Sequence, residues 1–282
     1  MTLPFAEADL CLLVDGRGRR HLVDLKPGRT FQFHAGIIAH DDIIGADPGG
    51  VLRTATGARV IALRPRLADY VLTMRRGAQV VYPKDLGPMI HWGDVRPGDT
   101  VIDAGTGSGA LAMALLTAVG PSGHVISIDR RSDHQEHAVT VITRFMGGMP
   151  ANLTLVIGDV EEEIAHHRPQ RVFLDLPEPW HVVEPAAAAM TPDGILTSYL
   201  PTVPQVQHLR EALKRSRRFA VVETFETMHR EWQFEGRSVR PQSQMVGHTG
   251  FITVARVSAQ TAADDEPTDT NHDEGEATED SP

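Results

Sequence analysis

Four aspartates stand out because each follows a short apolar run. Asp103 follows Val101-Ile102, Asp129 follows Val125-Ile126-Ser127-Ile128, Asp159 follows Leu155-Val156-Ile157-Gly158, and Asp175 follows Val172-Phe173-Leu174. If the runs are parallel strands, the ligand crevice of an open α/β sheet lies beyond their carboxyl ends, and all four acids converge on it. Structural caps are not expected to recur there four times. A crevice lined by carboxylates suits a ligand with a cationic amine and sugar hydroxyls. It is a poor place for a pyrophosphate, because like charges brought together disfavour each other.

The turn after the first acid reads Gly105-Thr106-Gly107-Ser108-Gly109-Ala110-Leu111. Three glycines permit a turn that residues with a Cβ follow only at a cost. From Ser108 onward, Leu111, Met113, Leu115, Leu116 and Val119 hold a helical apolar face until Gly120-Pro121 stops it. Strand, glycine turn and helix start together present backbone N–H groups to a nucleotide-like ligand. Gly105, Gly107 and Ala110 also satisfy, loosely, the G-x-G-x-x-G/A dinucleotide fingerprint. Asp103 favours a different ligand, since a carboxylate directly before the turn suits the ammonium group of S-adenosylmethionine. A tight turn that binds nothing is the plain structural alternative.

Asp129 lies 20 residues beyond Gly109, where an acid accepts both ribose hydroxyls of a bound nucleoside; an acid favoured by the helix dipole is the alternative. His134, in the first turn of the following helix, is a secondary contact. Asp159 is placed to accept from an adenine amino group, or else to cap a turn. Asp175 is the acid best placed for catalysis, because it opens Leu176-Pro177-Glu178-Pro179-Trp180. Two prolines stiffen that loop, and Trp180 offers an aromatic wall or simply a hydrophobic lid. Acid, prolines and aromatic resemble the (D/N)-P-P-(Y/W) loop of enzymes that methylate nitrogen on flat rings.

The 282 residues suffice for a full α/β domain and an added module. The formal charge of −10 is misleading, because residues 258–282 hold nine acids and no Lys or Arg, leaving 28 acids against 27 bases in the body. A near-neutral body does not argue against a polyanionic partner. The tail carries no Leu, Ile, Val or aromatic residue and reads as a disordered, solubilising segment. Cys11 is alone, so no internal disulfide forms. The N-terminus lacks a signal-peptide pattern and no apolar run reaches membrane length, so a cytoplasmic protein with no membrane partner is expected.

Residues 1–64 read as a small β-rich domain, antiparallel and barrel-like, with strands at 10–14, 20–24, 30–34 and 60–63. Residues 65–98 read as a helical connector. Over 99–257, strands at 100–103, 124–129, 153–158, 171–176, 194–198, 219–223 and 251–257 alternate with helices at 108–119, 132–146, 183–190 and 204–216. That alternation predicts a parallel sheet covered on both faces. No good helix separates the last two strands, so the seventh is expected to return antiparallel. The result is an α/β, seven-stranded, Rossmann-like class I methyltransferase fold. His166-His167 is no metal pair, since neighbours on a helix point about 100° apart and no third ligand lies at suitable spacing, so no metal is expected. Arg64, Arg66, Arg75, Arg76 and Lys84 are candidate phosphate contacts, as are Lys214, Arg215, Arg217 and Arg218, the last four equally explained as helix-end cations.

Five segments taken together resemble one family: R-R-G-A-Q-V-V-Y-P-K-D (75–85), V-I-D-A-G-T-G-S-G-A-L (101–111), L-D-L-P-E-P-W (174–180), Y-L-P-T (199–202) and R-P-Q-S-Q-M-V-G-H-T-G-F (240–251). The chain from about residue 5 to 257 is similar to the tRNA adenine-58 N1-methyltransferases of bacteria and archaea. The resemblance implies S-adenosylmethionine as cofactor, tRNA as substrate and a homotetramer. It implies that Ser108–Leu111 wraps the methionine part, Asp129 holds the ribose with His134 nearby, and Asp159 meets the adenine. Asp175 then lies between cofactor and target base, with Gln79 and Tyr82 closing over them. Trp180, Tyr199, Arg240 and His248 fall on the substrate side. Asp stands at 103 and 129 where many relatives carry Glu, so contacts there are longer or pass through water. A class I methyltransferase for another RNA, a protein or a small-molecule nitrogen remains the alternative, beside a dehydrogenase and a silent RNA-binding subunit.

Overall fold

The computed structural model describes residues 3–74 and 79–259. Arg75, Arg76 and the acidic tail from residue 260 lie outside the described residues.

The N-terminal segment forms β1 (Leu10–Asp15), β2 (Arg20–Asp24), β3 (Thr30–Phe33), β4 (Gly36–Ala39), β5 (Val51–Arg53) and β6 (Arg59–Leu63). All pairings are antiparallel, as expected, but no barrel closes. The sheet runs β2-β1-β6-β5 with β2 and β5 as free edges, and β3-β4 is a separate hairpin. The sequence pattern missed β4 and β5 because three or four residues are too few to show an alternation. Phe5, Leu13, Leu25, Ile38 and Ile43 fill the space beneath and are fully buried.

Two helices follow, α1 (Leu67–Thr73) and α2 (Pro83–Trp92), the second opened by a proline whose missing N–H is no loss in a first turn. The remaining elements are β7 (Thr100–Ala104), α3 (Ala110–Val119), β8 (His124–Asp129), α4 (Ser132–Met146), β9 (Leu153–Ile157), α5 (Val160–Glu163), β10 (Arg171–Leu174), α6 (Val183–Ala189), β11 (Ile195–Leu200), α7 (Val203–Ser216), β12 (Phe219–Glu226), β13 (Trp232–Glu235), β14 (Ser238–Pro241) and β15 (Phe251–Val257).

Seven of these strands form one sheet in the order β12-β15-β11-β10-β7-β8-β9. β15 runs antiparallel to both neighbours and the rest are parallel, the seven-stranded layout expected above. Val101, Ile102, Val172, Phe173 and Leu174 are completely buried, because helices cover both faces of the central strands. Helix α3 is apolar nearly all round, since it is wedged between the sheet and α2. Where no helix was expected, between β12 and β15, the chain makes the hairpin β13–β14.

The N-terminal module is pinned to α4. Arg144 donates twice to Asp24, at 2.6 and 2.7 Å, and the Tyr70 ring stacks on Phe145 while its hydroxyl donates to the Val141 carbonyl.

The strand order fixes where a ligand goes. The chain leaves β7 for β8 and β9 on one side, then returns to β10 on the other. The crevice therefore opens between β7 and β10, at the point where the connections reverse direction.

Candidate active site

The four acids occupy four adjacent strands, in spatial order Asp175 (after β10), Asp103 (β7), Asp129 (β8) and Asp159 (after β9). Asp103 and Asp175 flank the switch point. Asp103 departs from expectation by one residue: β7 continues through Ala104, so Asp103 lies inside the strand and is completely buried.

That burial shapes its chemistry. The Ser127 hydroxyl donates to Asp103 Oδ2 at 2.7 Å, and the Thr106 hydroxyl lies 2.8 Å from the same serine oxygen. Among the described residues, Asp103 Oδ1 has no hydrogen-bond partner. Burial, with the Asp175 and Asp129 charges adding to it, pushes the Asp103 carboxyl up to about 7. Burial alone pushes Asp175 up to about 7 as well. An unpartnered buried carboxylate oxygen is costly, and a cationic donor is what relieves it.

The glycine turn lies directly over this pair. Gly105 has φ +95°, and a Cβ there would collide with the backbone carbonyl of Asp175. The Asp175 amide in turn donates to the Ala104 carbonyl at 2.9 Å. The backbones of the two loops therefore touch, leaving no room for a side chain between them. Gly107 donates its N–H to Asp129 Oδ2 at 3.1 Å, and Gly109 donates to the Thr106 carbonyl as the turn enters α3 at Ala110 and Leu111. Ser108 is buried within the turn.

Asp129 is tied to its surroundings by the Arg131 N–H at 2.9 Å and by His134 Nδ1 at 3.1 Å. Asp159 caps α5 by accepting from the Glu161 N–H, and its other oxygen pairs with Arg130. The loop after Asp175 is fastened by Gln205, whose amide donates to the Pro177 carbonyl at 3.0 Å. Trp180 is half-buried, edge-on to His208 of α7 with its indole N–H on His181.

The substrate-side candidates fall in two groups. Tyr199, at the end of β11, is buried and donates to Asp85 Oδ2. Tyr82 caps α2 and is half-buried, while Gln79 is exposed at the start of that segment. His248 is exposed, with its ring nitrogens 2.9 Å from Glu226 Oε2 and from the Pro201 carbonyl; that carbonyl and that carboxylate hold its pKa above the usual imidazole range. Arg240 sits apart on β14, exposed.

Several expected phosphate contacts are otherwise engaged. Lys84 is turned inward onto Asp85, Arg66 makes a two-pronged pair with Asp69, and Arg64 pairs with Asp9. Ser127, Asp85, Thr227 and Thr249 were not anticipated. Ser127 was legible in principle, as a polar residue interrupting the apolar strand His124-Val125-Ile126-Ser127-Ile128. Among the described residues, Asp15, His21 and His34 place one possible metal-ligating atom each within 4.8 Å of one another, but Asp15 already accepts from Arg19 and from two backbone N–H groups.

The residues present fit S-adenosylmethionine: Asp103 Oδ1 offers an unsatisfied acceptor for its ammonium group, on a strand flanked by those that carry Asp175 and Asp129.

Comparison with known proteins shows the family. The family model described as "tRNA methyltransferase complex GCD14 subunit" matches residues 58–240, and "TrmI-like N-terminal" matches residues 4–52. The chain is 39% identical over 246 residues to tRNA (adenine(58)-N(1))-methyltransferase TrmI of Thermus thermophilus, covering 87% of this chain and 95% of that protein. It is 35% identical to the Methanocaldococcus jannaschii tRNA (adenine(57)-N(1)/adenine(58)-N(1))-methyltransferase TrmI, covering 87% and 94%. Among solved structures, a Thermotoga maritima SAM-dependent O-methyltransferase superposes with TM-score 0.85 at 30% identity, over 91% of this chain and 95% of that one. The tRNA (m1A58) methyltransferase TrmI of Aquifex aeolicus superposes with TM-score 0.79 at 25% identity, over 91% and 100%.

Proposed function

From the premise that this chain belongs to the tRNA (adenine-58-N1)-methyltransferase family, we infer that it transfers a methyl group from S-adenosylmethionine to N1 of adenine 58 in the T-loop of tRNA. The observation that carries the reading is the pair of acids flanking the switch point, Asp103 completely buried with one unsatisfied oxygen and Asp175 half-buried on the adjacent strand end.

When bound, the cofactor supplies an electrophilic sulfonium methyl. Asp103 Oδ1 accepts from its ammonium group, with Gly105, Gly107 and Ser108–Leu111 wrapping the methionine part. Asp129 accepts from the ribose, His134 stands beside it, and Asp159 accepts from the adenine amino group. Gln79 and Tyr82 close over the occupied cleft.

Adenine N1 is paired within folded tRNA, so the target base is flipped out. Its lone pair is neutral and attacks in line, so no strong base is needed. The bound donor would keep the electron pair of the broken bond, and the purine would leave as a cation. Asp175 accepts from the exocyclic amino group, aims N1 at the methyl and stabilises the positive charge as it develops. Tyr199, Trp180, Arg240 and His248 contribute the substrate side.

Residues 1–64 serve as the β-rich domain, 65–98 as connector, 99–257 as the transfer domain and 258–282 as tail. The enzyme assembles as a homotetramer. The hairpin β13–β14 supports self-association, since Trp232 and Phe234 are 56% and 73% exposed. A tRNA substrate calls for the cytoplasm, and no helix among the described residues is long and apolar enough to cross a membrane.

The test is incubation with unmodified tRNA and methyl-labelled cofactor, followed by mapping of the label. Label at adenine 58 is expected, and its absence there overturns the reading. Label at adenine 57 as well would reveal a two-site enzyme.

A further inference from the structure

Asp85 is fully buried, and no step of the transfer uses it. A buried carboxylate destabilises a fold unless it is paired and hydrogen-bonded. Here four donors satisfy it. Lys84 Nζ lies 2.7 Å from Oδ1, the Thr227 hydroxyl donates to Oδ1 at 2.6 Å, the Thr249 hydroxyl to Oδ2 at 2.6 Å, and the Tyr199 hydroxyl to Oδ2 at 3.2 Å. Lys84 is held in its turn by the Thr227 carbonyl at 2.7 Å.

The donors come from separate stretches of chain: the first turn of α2, the end of β11, the segment after β12 and the loop before β15. Three of the four carry a group assigned above to the substrate side. Tyr82 caps α2, and its carbonyl accepts from the Asp85 amide at 2.8 Å. Tyr199 is held directly, and its ring fills the space beside Gly250, where a Cβ would lie 2.5 Å from it. His248 precedes Thr249 and is fixed between Glu226 and Pro201. Burial, with the Asp85 and Asp175 charges adding to it, disfavours ionisation of the Tyr199 hydroxyl.

We propose that Asp85 is a positioning residue for methyl transfer. It holds Tyr199 and the loops around residues 227 and 249 in the arrangement that receives the flipped purine, acting through Tyr199 and not on the reacting atoms. The proposal rests on the methyl-transfer reading of the cleft. A charge buried only to hold the fold together would alter stability and leave the kinetics of the folded enzyme alone.

The experiment compares Asp85→Asn, Thr249→Val, Tyr199→Phe and the Asp85→Asn/Tyr199→Phe pair in the full chain. Asn keeps the volume and one acceptor while removing the charge. Asp85→Asn is expected to lower kcat on tRNA by about tenfold or more while the Kd for S-adenosylmethionine stays within about twofold, because misplacing a reactant costs the chemical step and not cofactor binding. Thr249→Val should lower kcat by less, again with the cofactor Kd held. The double variant should lose no more than its worse single parent, since both changes cut one path. A second readout needs no tRNA. The chain has three tyrosines, so with carbon-13 at the ring Cζ, the Tyr199 signal should move in Asp85→Asn while that of Tyr70 stays. Unchanged kcat in Asp85→Asn, or losses that multiply in the double variant, overturns the proposal. Should Asp85→Asn fail to fold, an unmoved kcat and Tyr199 signal in Thr249→Val does the same. A wild-type enzyme inert towards tRNA would sink the methyl-transfer reading instead, and the Tyr199 signal would still decide whether Asp85 holds that ring.

Discussion

A side chain on Gly105 would collide with the backbone carbonyl of Asp175, so the proposed cofactor turn and the loop that carries the proposed catalytic acid are packed as one unit. Gly105→Ala therefore introduces two faults. Its φ of +95° is unfavourable for any residue with a Cβ, by about 1–2 kcal/mol. The added methyl must also push Asp175 aside, because the atom it meets is backbone and cannot rotate away. Both cofactor affinity and kcat should fall in this variant, and calorimetric titration with a melting curve would show it. A variant that binds S-adenosylmethionine as the parent does would refute the packing argument.

Asp175 itself is the sharper test of the transfer step. Removing the carboxylate withdraws a preorganised charge from the place where the purine becomes cationic, an effect of roughly 100-fold in kcat for a single such group. Asp175→Ala should show that loss with its Kd for S-adenosylmethionine little changed. A decrease of only a few-fold, measured at saturating tRNA and cofactor, would remove Asp175 from the mechanism.

Much of this site was legible in the chain because strand ends announce themselves. Apolar runs ending in Asp129, Asp159 and Asp175 marked the sheet and gathered the proposed site at one edge of it, and the α3, α4, α6 and α7 boundaries fell within two residues of expectation. The pattern failed where contacts are made between distant segments. Nothing local marks Asp85 as the meeting point of residues 84, 199, 227 and 249, and Lys84 looks like a surface cation until the fold turns it inward. Asp103 reads as a strand-end acid, whereas its burial one residue inside β7 depends on Ser127 in the neighbouring strand. Short strands such as β5 and the hairpin β13–β14 carry too few residues to show a period.

The two acids held up to about 7 make opposite demands on stability and binding. An unfolded aspartate titrates near about 3.9, so between roughly pH 4 and 7 the folded chain keeps protons that the unfolded chain has lost. Their contribution to stability is therefore greatest at the acid end of that window, falls as pH rises through it, and levels off above. Asp103→Asn removes one such group. The unliganded variant should melt higher than the parent at pH 8 and gain nothing at pH 4. Cofactor affinity should run the other way, since the ammonium group needs ionised Asp103: the parent should tighten from pH 6 to 8 while Asp103→Asn stays weak across the range. Equal pH slopes in the two proteins would dissociate Asp103 from the ammonium.

The hairpin β13–β14 gives the last prediction. Phe234 pairs with Val239 and Trp232 with Pro241, so these four residues share one face of the ribbon, while Gln233 and Arg240 point to the other. Phe234 is 73% exposed, Trp232 56% and Val239 55%, an apolar strip left open to water. A lone two-stranded ribbon is marginal in water and gains most by burying such a face. In the proposed homotetramer a second copy of the chain covers it. Trp232→Ser with Phe234→Ser should shift the assembly to a smaller species by light scattering, with the far-ultraviolet spectrum and cofactor affinity retained because β13 and β14 pair with each other and not with the sheet that holds Asp103. A tetramer that survives both substitutions would place its contacts elsewhere, and a parent that is already monomeric would leave the strip for a different partner.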